Sequence, residues 1–463
     1  MNAQQLLQEI SDYCGRTGLA ESTFGRRAVN DGKLTARLRN GGRITTDTLD
    51  RIHGFMAAHP AHTDRPAIIE RTREGRAASS PPAAPAPAKP GDPQRNFRFF
   101  DNRQKYLLFV NTCSEKWEVA HRVSEELAHI HPRPPAVRVF DAGVGDGTVL
   151  VRVMRAMHDR FPHMPFYTVG KEISLEDVRL TLQKMSDRFF EHPATVLVLT
   201  NLAYADAPWL AVKSVNAASS LVWHELPLLG NSAHQFEKQI ISLESFLGEN
   251  WKATVSARTG NPIYERPVVL VIYREDHRFL LDPIIPRPGG TQANYDLVIA
   301  SQPHRARAPL EFKARRVIAP LARALGPGGR LVAIHSHGHD PGMEIIQRVW
   351  PDDHPFIHDR HQILKAVKHE LGPAGRDLNF NAYADNRALF RYVMHTLPSE
   401  ISESIGTSTL FAAWNAAIYV AQVEDDRLAE VGNGYIDATR SVLRERGGLW
   451  FFDESYVISR RRN

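Results

Sequence analysis

The stretch VRVFDAGVGDGTVL, residues 137–150, decides the fold of this chain. A run of β-branched and aromatic residues ends at Asp141, and three alternating glycines, Gly143, Gly145 and Gly147, follow before a helical pattern begins. Glycines at such a junction permit a tight turn and let a ligand approach the bare backbone. The stretch therefore predicts a strand, a ligand-binding turn and a helix in direct succession.

The next predicted strand places a carboxylate beside that turn. In FYTVGKEIS, residues 166–174, Glu172 stands just beyond the end of the strand. A carboxylate there can accept both hydroxyl protons of a ribose. The alternative interpretation is a glycine turn followed by a solvated, helix-capping glutamate. The order of strand, glycines, helix, strand and acid favours the nucleoside site.

Strand-like and helix-like segments alternate around this unit, which predicts a doubly wound, mostly parallel α/β sheet. The predicted strands are 137–141, 166–170, 195–199, 295–300 and 330–335, and the predicted helices are 105–129, 148–160, 175–190 and 312–325. The C-terminal LWFFDESYVISR, residues 449–460, reads as two short strands. Residues 212–291 form an insertion with a predicted helix at 234–247 and a predicted strand at 268–273, and residues 342–445 add further, largely helical material.

These motifs resemble those of the class I S-adenosylmethionine-dependent methyltransferase superfamily, from about residue 96 or 100 to residue 463. DAGVGDG resembles its first motif, VGKEIS its acidic second-strand motif, and NYDLVIAS with LARALGPGGRLVAIHS its fourth and fifth strands. The resemblance implies a Rossmann-like methyltransferase with a seven-stranded sheet and S-adenosyl-L-methionine as cofactor.

By that resemblance, the glycine turn surrounds the methionine part of the cofactor and Glu172 holds the ribose. The loop after the third strand, at Asn201 and Leu202, touches the adenine, although the family often has aspartate where Asn201 stands. The implied cofactor-binding residues are Asp141, Gly143, Val144, Gly145, Gly147, Glu172, Ile173, Asn201, Leu202 and Ser301.

The segment SQPHRARAP, residues 301–309, follows the predicted fourth strand and carries the candidate catalytic residue. Methyl transfer from a sulfonium is mostly a matter of alignment, because the leaving group is neutral. His304 is a candidate general base for an oxygen or nitrogen acceptor. Its alternative is a loop histidine whose neighbours Arg305 and Arg307 keep the helix start soluble or hold an anionic substrate.

The sequence does not name the methyl acceptor, and a small molecule is favoured. Amino-methyltransferases of DNA and proteins carry [D/N/S]-P-P-[aromatic] after the fourth strand, but here Gln302 replaces a proline and His304 the aromatic residue. Cytosine C5 methylation requires a nucleophilic cysteine next to proline. Neither Cys14 nor Cys113 has that context, which excludes this class of methyltransferase. The two cysteines also form no disulfide framework.

Two further segments have open interpretations. HSHGHD, residues 335–340, lines an acceptor pocket or holds a metal, and we predict no metal because no cysteine joins it. Residues 105–120 form a helix that either covers the cofactor or packs through Leu107, Leu108 and Val110.

Residues 1–60 resemble a helix-turn-helix of the lambda-repressor-like kind, predicted as a small all-α domain. Ser22 begins a helix that ends at Val29, a turn follows at 30–32, and a basic helix spans 33–39. Leu34 and Leu38 are expected inside, and the candidate duplex-DNA contacts outside are Lys33, Thr35, Arg37 and Arg39. A protein-interaction module is the alternative, and a homodimer is expected because one such unit binds weakly.

The composition bounds the class of protein. The 463 residues are 43% hydrophobic and 24% charged with a net charge of +5, as in a globular, cytoplasmic protein with a sizeable core. A Pro- and Ala-rich linker is predicted at 61–95, and no apolar run approaches the roughly 18 residues that a membrane span needs. The expected function is a methyltransferase tethered to a DNA-binding module. A regulator that senses S-adenosylmethionine without transferring methyl groups, and a DNA or protein amine methyltransferase, are the rivals.

Overall fold

The structure, a computed structural model, divides into two units, residues 1–86 and 87–463, and each is described by itself. The described residues are 3–17, 19, 21–29, 31–39, 45–58, 103–256, 262–289, 291–396, 399–402, 404–432 and 434–462. The predicted linker, 61–95, lies outside them.

The N-terminal unit consists of four helices packed on a small apolar core. They are α1 (Ala3–Thr17), α2 (Glu21–Val29), α3 (Leu34–Arg39) and α4 (Thr46–Ala58). Leu6, Ile10, Phe24, Leu34 and Ile52 are buried between them. Each helix is too short to be stable alone, so the shared core holds the unit together.

The second unit has twelve strands within its described residues. They are β1 (Val137–Asp141), β2 (Phe166–Lys171), β3 (Thr195–Thr200), β4 (Val222–Leu228), β5 (Ala253–Val255), β6 (Pro262–Tyr264), β7 (Val268–Arg274), β8 (Tyr295–Ser301), β9 (Leu325–Ser336), β10 (Leu378–Asn381), β11 (Leu389–Val393) and β12 (Trp450–Arg460).

Its helices lie between the strands in the sequence and supply most of the remaining core. They are α5 (Arg103–Thr112), α6 (Glu115–Glu125), α7 (Thr148–Arg160), α8 (Leu175–Gln183), α9 (Met185–Glu191), α10 (Val215–Ser219), α11 (Ala233–Ile241), α12 (Glu244–Asn250), α13 (Arg278–Leu281), α14 (Leu310–Phe312), α15 (Ala319–Arg323), α16 (Pro341–Val349), α17 (Arg360–Leu371), α18 (Asp385–Ala388), α19 (Ser399–Ser402), α20 (Thr407–Val420), α21 (Asp425–Ala429) and α22 (Gly434–Arg446). A π-helical segment, Lys313–Ile318, joins α14 to α15.

The sheet confirms the predicted doubly wound α/β fold class. Its strand order is β10-β12-β9-β8-β1-β2-β3-β7-β4. Strands β3, β2, β1, β8 and β9 are mutually parallel, and the chain winds outward on one side from β1 to β3 and on the other from β8 to β9. Ligands of such sheets bind at the carboxyl ends of the strands where the winding reverses, which here is between β1 and β8.

The prediction of seven strands was wrong, because ten strands form this sheet. The insertion adds two of them, since β7 pairs antiparallel with β3 and β4 pairs with β7. β11 adds a third beside β12. The insertion therefore extends the sheet instead of forming a separate lobe.

The predicted two C-terminal strands are one strand, β12. Its centre, Asp453–Ser455, is polar and reads as a turn, yet these residues are buried and pair without interruption with β9. Glu454 makes this possible because Arg360 and His335 contact its carboxylate. Buried charge is tolerated where such partners surround it.

Three predicted helices are each divided in two. The segment 105–129 breaks after Thr112, where Cys113 bridges to Met394 and the Ser114 N–H donates to the carbonyl of Val393. The segments 175–190 and 234–247 break at Lys184 and at 242–243. No helix within the described residues is both long and apolar enough to span a membrane.

Candidate functional site

The glycine turn lies between β1 and α7, as predicted. Gly145 and Gly147 have φ values of 56° and 80°, in the left-handed region that favours glycine. A Cβ on Gly147 would lie 2.9 Å from Cα of Thr181, so α8 packs directly on the turn. Glycine is therefore required here for both conformation and close packing.

The face of the turn at Gly143 is open. This residue is exposed, and a Cβ placed on it would meet nothing within 4 Å. Val144, in contrast, packs its side chain into the core against Gly170. A ligand can thus lie against the backbone at Gly143, whereas the Val144 side chain is not available to it.

Glu172 joins the second strand to the glycine turn. Its Oε2 accepts the backbone N–H of Gly145 at 2.9 Å, and its Oε1 accepts the N–H groups of Ile173 at 2.7 Å and Ser174 at 2.9 Å. The indole N–H of Trp251 in the insertion donates to the Glu172 carbonyl at 3.1 Å. The carboxylate therefore faces the turn, with one of its roughly four acceptor positions left over.

Three further carboxylates surround the turn. Burial raises the pKa of Asp141 to about 7, although the N–H of Gly143 donates to its Oδ1. Burial and the nearby Glu172 also raise the pKa of Asp177, whose Oδ2 is buried without a hydrogen-bond partner among the described residues. Burial opposes ionisation of Asp146, but the hydrogen bond from Thr148 and the charges of two lysines lower its pKa. The sequence prediction included only Asp141 of these three.

Helix α5 covers part of the turn. The N–H of Asp146 donates to the hydroxyl of Tyr106 at 3.3 Å, and a Cβ on Gly145 would lie 3.1 Å from that hydroxyl. The buried side chains of α5 are Tyr106 and Phe109, whereas Leu108 is 40% exposed. Helix α5 thus lies over part of the turn. The packing through Leu108 expected in the alternative is wrong, whereas Val110 does pack on a core cluster.

The loop after β3 uses its side chains within the protein. The amide of Asn201 donates to the carbonyl of Arg266 at 2.9 Å and accepts the N–H of Val268 at 2.8 Å, and Leu202 is fully buried. Asn201 therefore fastens the start of β7 to the end of β3. An adenine contact from this loop would have to come from its backbone.

The end of β8 carries two unsatisfied polar side chains. The Ser301 Oγ is buried and has no hydrogen-bond partner among the described residues, and the same holds for both ring nitrogens of His304. Burial, followed by the charges of His335 and Lys313, holds the pKa of His304 well below its usual 6.5. His304 is therefore a neutral, buried imidazole.

The neighbours of His304 are fixed by other contacts. Gln302, at φ 47°, bonds through its amide to Ser336 and Asp453. Arg307 donates to the carbonyl of Ala421 and pairs with Asp353. Arg307 thus has a structural role, and it is not free to hold a substrate as the sequence suggested.

The histidine-rich segment after β9 is organised by carboxylates. Nε2 of His335 lies 2.8 Å from Oε1 of Glu454, and Asp340 accepts the N–H groups of Met343 and Phe452. Within the described ranges, no three His, Cys, Asp or Glu residues are arranged to hold a metal ion. His335 lines a small cavity together with His304.

The predicted DNA-contact residues of the N-terminal unit differ in exposure. Lys33 is exposed, while Arg37 pairs with Asp31 at 2.9 Å and Arg39 with Glu21 at 2.7 Å. Thr35 was expected outside, but it is 6% exposed. The prediction was wrong because α3 begins at Leu34 and buries Thr35 beside it.

Comparisons with known proteins return fold likeness at low similarity. No protein-family model matches the chain, and no curated protein matches it. Among solved structures, a geranyl diphosphate methyltransferase in complex with GPP and sinefungin is 13% identical, over 74% of this chain and 76% of that chain, with a TM-score of 0.29. A loganic acid methyltransferase with SAH is 9% identical, over 81% and 99%, with a TM-score of 0.32. PKMT2 from Rickettsia typhi in complex with AdoHcy is 11% identical, over 74% and 53%, with a TM-score of 0.27. At such values the likeness carries no argument about activity, so the fold class rests on the strand order.

Proposed function

We propose that the chain is an S-adenosylmethionine-dependent methyltransferase that binds its cofactor at the glycine turn. The observation that carries the proposal is the cradle formed by the open backbone at Gly143 and the Glu172 carboxylate bonded to Gly145. This cradle stands at the carboxyl ends of β1 and β2, beside the reversal of the winding. Backbone that is open on one face and flanked by a carboxylate suits a nucleoside with a ribose and a small zwitterionic tail.

The charges around the cradle support a cationic nucleoside. Asp146 already has a positive partner, because Nζ of Lys184 lies 2.9 Å from its carboxylate. Asp141 and Asp177 have no ion pair among the described residues, and burial raises the pKa of both. Ionised carboxylates in a buried site are costly unless a positive group neutralises them. S-adenosylmethionine supplies such groups through its sulfonium and its ammonium.

The residues at the end of β8 suit the acceptor side of the reaction. When bound, the cofactor supplies an activated methyl group, and the leaving thioether is neutral. His304 would take the proton of an oxygen or nitrogen acceptor, since its imidazole is neutral and its ring nitrogens have no side-chain partner within the part of the chain that the structure describes. Ser301 would orient the reacting end through its unpartnered hydroxyl.

A glycine substitution tests cofactor binding with little risk to folding. Gly143→Val projects a side chain into the open space of the cradle, whereas Gly248→Val adds the same side chain to α12, where a Cβ also meets nothing within 4 Å. Calorimetry with S-adenosylhomocysteine should give at least about tenfold weaker binding for Gly143→Val only. Equal affinity in both variants would refute the cofactor site.

Turnover separates an enzyme from a sensor. An enzyme converts S-adenosylmethionine to S-adenosylhomocysteine when an acceptor is supplied, and this turnover should fall in His304→Gln while S-adenosylhomocysteine still binds. An amine acceptor fits less well, because the buried ammonium of Lys313 beside His304 would repel a protonated amine.

We further propose that the N-terminal unit binds duplex DNA. Gly25 supports this, because a Cβ there would lie 2.3 Å from the carbonyl oxygen of Asp31, so α2 and the turn before α3 are in direct contact as in a helix-turn-helix. Arg26, Arg27 and Lys33 are exposed beside this turn.

Fluorescence anisotropy of the full chain with a duplex of about 20 base pairs tests DNA binding. Lys33→Ala should weaken binding and reduce the salt slope by about 1, whereas Arg51→Ala on α4, also exposed, serves as the matched control. An absence of binding at low salt would favour the protein-interaction alternative.

A further inference from the structure

A second cavity lies beside the cofactor cradle, at the carboxyl ends of β8 and β9. We name it the β8–β9 cavity; its polar walls are Gln302, His304, Lys313, His335 and His358, and Phe356 closes one side. Its interior has about 10 Å³ of free space, enough for roughly one water-sized group, and the cavity is partly open to solvent. Because β8 pairs with both β1 and β9, the cavity is one strand away from the glycine turn.

Lys313 is the unusual member of this cavity. It is 1% exposed, and its Nζ donates to the carbonyl of Ala306 at 2.7 Å. No carboxylate of the described residues lies within salt-bridge distance of it, although a buried ammonium is costly without a negative partner. Burial lowers the pKa of Lys313 to about 8, which still leaves it mostly charged at neutral pH. Two of its three donors remain for a ligand.

The imidazoles add buried hydrogen-bonding groups that the protein does not satisfy. Both nitrogens of His304, Nδ1 of His335 and Nδ1 of His358 have no partner among the described residues. His304 and His335 are each less than 9% exposed, and their ring centroids are 5.6 Å apart. Buried polar groups are normally satisfied, so this concentration indicates a missing polar ligand.

The backbone around the cavity is also unusual. Gln302 adopts a positive φ without being glycine, and Lys313 begins the π-helical segment Lys313–Ile318. Both features are uncommon and occur preferentially at functional sites. Here the positive φ of Gln302 turns the chain after β8, and the π-helical segment carries Lys313.

We propose that the β8–β9 cavity receives one oxygen of a compact oxyanion, a carboxylate or phosphate group, from its open side, with Lys313 as the charge partner and the neutral imidazole of His304 as a hydrogen-bond donor. Carboxyl groups surround the neighbouring cradle, whereas Lys313 lines the β8–β9 cavity. The cradle should therefore favour a cationic ligand and the cavity an anionic one. Given the proposed methyltransferase function, on which this step rests, the oxyanion belongs to the methyl acceptor. The acceptor class is then an anionic small molecule.

Thermal unfolding of the full chain tests anion binding without an acceptor or cofactor. Sodium phosphate and sodium acetate are titrated at pH 7, each at constant ionic strength set with sodium chloride. At least one should raise the unfolding midpoint by about 2 °C or more, because a ligand that binds only the folded state stabilises it. The anion that gives the larger shift identifies phosphate or carboxylate as the preferred group.

Two variants locate the effect. Lys313→Met should abolish the shift, whereas Lys365→Met, which removes an exposed lysine from α17, should retain it. Equal shifts in the wild type and Lys313→Met, or no shift in the wild type, would overturn the proposal. A shift with zinc chloride alone that persists in Lys313→Met would also overturn it, in favour of an imidazole metal site.

Nucleoside binding is measured separately. Calorimetry with S-adenosylhomocysteine on Lys313→Met should give wild-type affinity, which also shows that the variant is folded. If the wild type does not bind S-adenosylhomocysteine, the methyltransferase function is refuted. The anion site is judged separately, by whether phosphate or acetate raises the unfolding midpoint in a way that depends on Lys313.

Discussion

The carboxylate of Glu172 accepts the backbone N–H of Gly145 at 2.9 Å and so fixes the distance between the ends of β2 and β1. The same carboxylate accepts two N–H groups from its own strand exit. A residue predicted to grip a ribose is thus also a structural support of the glycine turn.

Glu172→Gln should weaken both stability and nucleoside binding. The glutamine can offer one oxygen to N–H donors, and its NH₂ group would face the others, leaving a buried donor unsatisfied. We expect a loss of about 1–3 kcal/mol in the free energy of unfolding, measured by urea denaturation. Glu176→Gln, whose partners Arg103 and Arg179 are on the surface, should change it by less than about 0.5 kcal/mol.

Gly147→Ala should destabilise the protein more than Gly447→Ala. Both glycines have positive φ, at 80° and 68°, but a Cβ on Gly147 would lie 2.8 Å from Oγ1 of Thr181, whereas a Cβ on Gly447 would meet nothing within 4 Å. Gly447→Ala should lower the free energy of unfolding by about 1 kcal/mol from conformation alone, and Gly147→Ala by more than about 2 kcal/mol. Equal losses by urea denaturation would show that the packing of α8 on the turn is loose.

Asp141 should make stability fall as pH rises towards neutrality. Its folded pKa, about 7, is above the usual 3.8 because of burial, so the folded state holds a proton that the unfolded state releases between pH 4 and 7. Asp141→Asn should therefore be more stable than the wild type at pH 8, by on the order of 4 kcal/mol, and similar to it at pH 4. Asp352→Asn, which removes an exposed carboxyl group, is the matched control and should keep the pH dependence of the wild type.

The same linkage predicts a pH dependence of ligand preference. Ionisation of Asp141 and Asp177 adds negative charge around the cradle as pH rises through about 7. The affinity for S-adenosylmethionine relative to S-adenosylhomocysteine should therefore rise between pH 6 and 8, because only the former carries a sulfonium. Calorimetry at the two pH values measures the ratio, and a constant ratio would contradict the role of these acids.

Lys313→Met should stabilise the ligand-free protein. The folded pKa, about 8, is below the usual 10.5, so the folded state binds this proton less tightly and stability rises as pH increases from 8 to 10.5. His304, His335 and His358 face the same cavity, and the nearby negative charge of Glu454 offsets part of the cost of burying the ammonium. We expect a higher unfolding midpoint for the variant at pH 7 and a smaller difference at pH 10, measured by scanning calorimetry.

The sequence predicted those strands and helices in which the pattern of apolar residues matches the positions that are buried in the structure. Strand β1 and helix α7 begin and end where periodicity placed them, because glycines separate them and their apolar faces are regular. Strand β12 was predicted as two strands because Asp453 and Glu454 place carboxyl groups at buried positions. The residues that satisfy these groups lie far away in the sequence.

The site was predictable in its backbone and less so in its side chains. Gly143 and Glu172 follow a local motif, so their positions were evident from spacing. Lys313 and Tyr106 belong to separate helices that tertiary packing brings to the two cavities, and no sequence spacing indicates this. Thr35 was misplaced because a six-residue helix gives too few positions to define a face.

Trp251 lies in the insertion, and its indole N–H donates to the main-chain carbonyl of Glu172. The structure of the cradle therefore depends on residues 212–291. A second hydrogen bond has the same effect: the side-chain oxygen of Asn201, after β3, accepts the N–H of Val268 at the start of β7. Removal of residues 212–291 would remove the hydrogen bond that holds the main chain at Glu172. The added strands are thus foundations of the binding crevice, and truncation should begin elsewhere.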